Sequence, residues 1–341
     1  MHVAFHRAAQ EWRHSLCALL MCAATGVLAA PPTSSAALAP AGSSPGEASP
    51  GNSGPAEGGP AEGGRADGRA AEGGATEHHP GKIVWVELVT PDLPTAESFY
   101  GDLFGWTFQP VHAAKSSGQT EFAVALFGGR PVGGLLQKSI PPGEHRQSAW
   151  LSFIAANDVN AAVQNAVRLG ATIRSEPKTY AGRGRQAVLA DPEGAVFAIL
   201  ESSGDPPDFL AEPGEWIWSS LLVQDPKHTA DFYQAVFGYD VFDLPSEGDD
   251  SAHVILSTDD YARASINSLP AGGHRRPHWL NFVRVESAAD TSAKAVSLGG
   301  RVLVAPYVDR HGGNIAVIAD PAGAPLGLLE WSDTDSKVEP K

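Results

Sequence analysis

From residue 85 the chain reads WVELVTPDLPTAESFYGDLFGW, an apolar run, a short polar turn, then apolar positions three and four apart that end at Gly105. The run predicts a β-strand, and the periodic segment predicts an amphipathic helix stopped by glycine. The pattern returns at 218–239 (WSSLLVQDPKHTADFYQAVFGY), and the same design stands at 149–173 and 278–302. Trp85 to Gly105 spans 20 positions, as do Trp150 to Gly170, Trp218 to Gly238 and Trp279 to Gly299. Four equal spacings mark an internal repeat.

Strand-like stretches follow each helix. In units two and four they close with LADPEGAVFAILE (189–201) and IADPAGAPLGLLE (318–330), where Asp-Pro-x-Gly makes a hairpin turn into a last strand. Each unit is therefore β-α-β-β-β. One unit leaves a sheet face uncovered, so units should pair into curved eight-stranded mixed sheets, an α+β architecture of two domains. The expected boundaries are 82–203 and 214–332, with a polar tail at 333–341. Whether unit one pairs with two or with four stays open.

The β-α-β-β-β unit, the Asp-Leu-x-x-Ala-x-x-Phe-Tyr…Leu-Phe-Gly signature carried by Asp92, Leu93, Phe99, Tyr100, Phe104 and Gly105, and the Asp-Pro-x-Gly turn resemble the vicinal oxygen chelate superfamily. That group includes glyoxalase-type lyases, extradiol dioxygenases and antibiotic-resistance proteins, and the resemblance covers residues 82–332. It speaks for fold more than for reaction, since one fold hosts many functions.

What precedes residue 82 has a different character. Residues 15–30 form a short apolar run behind Arg7 and Arg13 that ends in small residues, which predicts an export signal over 1–30 cleaved after Ala29. An uncleaved membrane tether is the alternative, but 16 residues fall short of the roughly 20 that span a bilayer. Both cysteines, Cys17 and Cys22, lie in this run, which removes thiol chemistry from the mature chain. Lipidation at Cys22 would call for a small residue where Met21 stands. Residues 31–81 are almost wholly Ala, Gly, Pro, Ser and Glu and read as a disordered linker averaging about 40 Å end to end. The net charge of −15 argues against a nucleic-acid partner, which would need a basic face. A soluble protein that meets a small molecule, with no integral membrane contact after cleavage, is the expectation. Two paired domains in one chain make a monomer sufficient.

The resemblance implies a divalent ion inside each cup, held by His, Gln or Glu from the start of each first strand and the middle of each last strand. Here those positions fall at Trp85, Trp150, Trp218 and Trp279 and at Ala198 and Gly327, with Gly133 and Ile266 for the less distinct units. An indole offers only an N–H donor, so no metal is expected. A register slip of two would bring Glu87, Ser152, Ser220 and Asn281 to the same face. Glu87 with Glu201 would then hold one divalent cation, although Glu201 has the opposite strand parity from Ala198.

These cups read as tryptophan-lined, with Trp85, Trp150, Trp218 and Trp279 supplying flat faces, and Glu87, Ser152, Ser220 and Asn281 the polar groups of a small-molecule pocket. Glu87 is the candidate base. Arg183 and Arg185 in the AGRGRQ loop could catch a carboxylate or phosphate on a ligand. His145 and His274 occupy equivalent connections before strands. Three readings follow: a metal-independent binder of an aromatic or apolar molecule, a metal-dependent lyase or dioxygenase, and an interaction module with filled cups.

Overall fold

The computed structural model describes residues 77–111, 121–138, 148–244, 253–269, 276–308 and 314–331. His145 and His274 lie outside them. Unit one comprises β1 (Ile83–Thr90), α1 (Leu93–Phe104), β2 (Thr107–Pro110), β3 (Phe122–Phe127) and β4 (Arg130–Gln137). Unit two comprises β5 (Ala149–Ala155), α2 (Val159–Arg168), β6 (Thr172–Tyr180), β7 (Gly184–Ala190) and β8 (Val196–Glu201). Unit three comprises β9 (Trp216–Val223), α3 (Pro226–Phe237), β10 (Asp240–Leu244), β11 (His253–Thr258) and β12 (Tyr261–Ser268). Unit four comprises β13 (His278–Val285), α4 (Ala288–Ser297), β14 (Arg301–Val308), β15 (Asn314–Ala319) and β16 (Pro325–Glu330).

Units one and two form one eight-stranded sheet, in the order β2-β3-β4-β1-β5-β8-β7-β6, and units three and four form its counterpart, β10-β11-β12-β9-β13-β16-β15-β14. Unit one thus pairs with unit two. The first strands meet antiparallel at the centre of each sheet, and each first strand runs parallel to the last strand of its own unit.

Each helix starts where a side-chain oxygen can take an otherwise orphaned backbone N–H. Asp92, Asp158, Asp225 and Ser287 accept from the amides of Thr95, Ala161, His228 and Asp290 at 3.0–3.1 Å. These caps expose what the equal spacings conceal. Trp85 and Trp218 stand seven residues before their caps, Trp150 and Trp279 eight. In units two and four the strand carries one residue more before its cap, and the stopping glycine comes one residue sooner after it.

A one-residue shift turns a strand residue to the other face. Trp85 and Glu87 stand opposite Phe153 and Leu151, not Trp150 and Ser152, and Trp218 and Ser220 stand opposite Phe282 and Leu280. Trp150 and Trp279 therefore face the helices. There α1 and α4 share one core cluster, with Leu93, Phe99, Tyr100, Ala288 and Ala295, while α2 and α3 share another, with Val159, Val163, Ala166, Phe232 and Tyr233. The two sheets pack through these helices and leave their other faces outward.

Two matched triads close the seam between the domains. Trp150 donates from Nε1 to Tyr100 Oη (3.0 Å), which donates to Asp320 Oδ2 of the other domain (3.2 Å). Trp279 donates to Tyr233 Oη (3.1 Å), which donates to Asp191 Oδ2 of the first domain (3.2 Å). Both aspartates open the Asp-Pro-x-Gly turns and hold them by accepting from Ala195 and Ala324. Tryptophan, Phe-Tyr and Asp-Pro-x-Gly thus recur together because they build one contact twice.

Candidate functional site

The helix-free face of domain 1 is lined by Trp85 and Glu87 from β1, Phe122 from β3, Gly134 from β4, and Leu151 and Phe153 from β5. Val188, Ala198 and Leu200 continue it onto β7 and β8. Gly134 is needed where it stands: a Cβ there would lie 2.7 Å from the Phe122 ring and 3.2 Å from the Trp85 ring. Trp85, Phe122, Leu151, Val188, Arg183 and Gln186 are only partly buried, so solvent reaches part of this face.

Glu87 is 5% exposed and pairs with Arg183 Nη2. Arg183 sits in the β6–β7 turn, and β7 is separated from β1 by β8 and β5. Flat, that is about 14 Å. The contact closes only because the sheet curls, so the arginine crosses the cup from unit two to unit one, with its guanidinium 4.6 Å from the centre of the Phe122 ring. Burial raises the Glu87 pKa, and Arg183, then Trp85, oppose it. The Trp85 N–H nevertheless makes no hydrogen bond of ordinary geometry, and Gln186 Oε1, also buried, has no protein partner.

Domain 2 differs. Trp218, Ser220, Leu222, Ile255, Ser265, Asn267, Leu280, Phe282, Ile315 and Leu329 on its corresponding face are all buried, and Phe242, Tyr307 and Val317 towards the sheet edges are partly so. Phe282 lies against Gly327, where a Cβ would come within 2.1 Å of the ring. Ser220 and Ser265 share a hydrogen bond of 2.8 Å, Trp218 donates to Ser265 (3.1 Å) and Asn267 donates to both serines. This cup is largely filled with side chains that bond one another, although Asn267 Oδ1, buried, has no protein partner.

Several sequence expectations therefore change. Trp150 and Trp279 do not line a cup; they belong to the seam triads. Ser152 and Asn281 also lie in the seam, where Ser152 and Ser219 both donate to Asn281 Oδ1 (3.0 and 2.7 Å). Arg185 bonds Asn160 of α2 (2.8 Å) and Thr179, away from the cup. Gly133 and Ile266 face the helices, so Gly134 and Ser265 are the cup positions. Glu201 is turned to the helix side, where it accepts from the Val159 amide at the start of α2 and cannot join Glu87. Trp85, Glu87 and Arg183 do come together. Phe122, Gln186 and Phe153 were not singled out by the sequence, and only the cap offset could have pointed to Phe153.

Among the described residues the donors do not fit a divalent transition metal. Facing inward at the expected positions are Trp85, Leu151, Gly134 and Ala198 in domain 1 and Trp218, Leu280, Ser265 and Gly327 in domain 2. His253, on the cup side of β11, is joined in register by Asn267 and near it by hydroxyls, which are weak ligands. Among the described residues no group of three or more His, Cys, Asp or Glu gathers.

Comparison with known proteins agrees with this architecture. A family model described as a glyoxalase-like domain matches residues 85–200 and 219–329. The chain is 31% identical over 264 residues to the anthracycline biosynthesis protein DauV of Streptomyces sp. (strain C5), covering 75% of this chain and 95% of that protein. It is 29% identical over 265 residues to CFP32 of Mycobacterium bovis, whose name marks it as a candidate glyoxylase, covering 75% and 97%. Among solved structures, the Mn(II)-bound glyoxalase from Novosphingobium aromaticivorans superposes with a TM-score of 0.50 at 18% identity, over 74% of this chain and 83% of that one, a likeness of fold.

Proposed function

The chain belongs to the glyoxalase-like domain family, and from that premise we propose that domain 1 binds a small planar, largely apolar molecule in its cup without a metal, while domain 2 serves as a packed scaffold. The asymmetry between the cups carries this reading: one face presents a partly buried tryptophan, two phenylalanines and a Glu-Arg pair, and the centre of the other is buried throughout. An indole face beside aliphatic side chains suits ring stacking, and a few convergent polar groups suit orientation. The name of DauV is in keeping with it, since an anthracycline is a fused-ring aromatic. Glu87 is the one acidic group on the described cup lining and would be the base of any metal-free reaction there.

Calorimetric titration of the EDTA-dialysed full chain with 2-naphthylmethanol tests the reading. It predicts one bound molecule per chain, lost in Trp85→Ala. Binding that appears only on adding Mn²⁺ would favour the metal-dependent lyase or dioxygenase reading instead.

A further inference from the structure

The contact that crosses the cup has unequal halves. The Arg183 side chain is 30% exposed and the Glu87 side chain 7%. A molecule entering from solvent therefore meets the cation first and reaches the carboxylate only past it. Arg183 lies between Gly182 and Gly184, both in the left-handed region (φ +71° and +83°), in a turn whose neighbours Ala181 and Gly182 are exposed. Its guanidinium rests on the Phe122 ring, a hold that survives a change of anionic partner.

Among the described residues no other charge stands ready to replace it. The strand neighbours of Glu87 on β4 and β5 are Gly134 and Leu151, and the facing side chains of Trp85, Phe122 and Gln186 are uncharged. Arg183 is the one ionised group among the described residues whose charge acts on Glu87. A buried carboxylate that loses its only cation cannot stay charged at low cost; it takes a proton.

Resting on the reading of domain 1 as the binding domain, we propose that its ligand carries one anionic group, which takes Arg183 from Glu87 while Glu87 gains a proton from solvent. The cup is neutral before and after: guanidinium with carboxylate becomes guanidinium with the ligand's anion beside a carboxylic acid. In domain 2 the residue equivalent to Glu87 is Ser220, so the exchange belongs to domain 1 alone.

The test compares 2-naphthoate with 2-naphthylmethanol on the full chain, by calorimetry in two buffers of different ionisation enthalpy between pH 7 and 8. Naphthoate should bind with uptake of about one proton and weaken about tenfold across that unit, and the alcohol should show neither effect. Glu87→Gln should abolish both the proton uptake and the pH slope for naphthoate. Arg183→Gln should remove naphthoate's advantage over the alcohol, by about tenfold to a hundredfold for a charge-assisted pair. Naphthoate binding without proton uptake, or a slope that persists in Glu87→Gln, overturns the proposal. If the alcohol binds and naphthoate does not, the proposal falls and the reading of domain 1 stands; if neither binds, both fall.

Discussion

Replacing Tyr100 with Phe removes one oxygen that serves two domains. Tyr100 is wholly buried, and its hydroxyl accepts from Trp150 at 3.0 Å and donates to Asp320 at 3.2 Å. The variant keeps the ring, so packing is nearly conserved, but an indole N–H and a carboxylate oxygen lose a partner where water is excluded. Each buried group left unsatisfied costs about 1–3 kcal/mol, which puts the loss for the two at about 2–6 kcal/mol. With a urea m-value of about 3 kcal/mol/M for a body of this size, the midpoint should fall by roughly 1–2 M. The effect has a sign in pH. Burial raises Asp320 above its ordinary 3.8, and Tyr100 is among the groups that hold it down. Without that hydroxyl the folded-state pKa rises further. A raised carboxylate contributes stability below its unfolded pKa and loses it as pH rises through the folded value, so the gap between variant and parent should widen from pH 5 to pH 8. Tyr233→Phe should cost the same, because Trp279 and Asp191 repeat the geometry at 3.1 and 3.2 Å. Urea titrations of both variants at the two pH values decide. A midpoint shift under about 0.2 M, or a gap that narrows with pH, would refute the triads as the lock between domains.

Three further outcomes can be measured, two from the same geometry and one from the sequence. Gly327→Ala should lower stability by about 3 kcal/mol or more in thermal melts, because its Cβ would enter the Phe282 ring, while Ala198→Gly at the matching position should cost about 1 kcal/mol. Glu87→Gln should gain on the parent as pH rises from 4.5 to 8 in urea titrations, since the buried parent carboxylate has its pKa raised and the stability of its protonated form is lost through that window. We propose that the chain is exported, and terminal sequencing of the protein recovered outside the cytoplasm should begin at Ala30.

The repeat made the fold legible. Four copies of strand, turn, helix and glycine stop are hard to fold any other way, and Asp-Pro-x-Gly announced the hairpins that Asp191 and Asp320 hold. The site was only half legible, for a reason of counting. The Trp-to-Gly distance is the same in every unit, yet the strand segment is one residue longer and the helical segment one shorter in units two and four. Aligning on Trp placed Trp150 and Trp279 with Trp85 and Trp218; aligning on the caps Asp92, Asp158, Asp225 and Ser287 would have separated them. The Arg183–Glu87 contact was beyond reach, because it depends on how far the sheet curls between β1 and β7, and nothing in a strand's alternation reports that.

The central claim, one open cup and one filled cup, can be read residue by residue from methyl NMR spectra of the EDTA-dialysed chain, recorded with and without 2-naphthylmethanol. The account predicts that the methyls of Leu151, Val188 and Leu200 shift on titration while those of Leu222, Leu280 and Leu329 stay in place. Shifts at the second set, or none in the first while heat of binding is still measured, would contradict it.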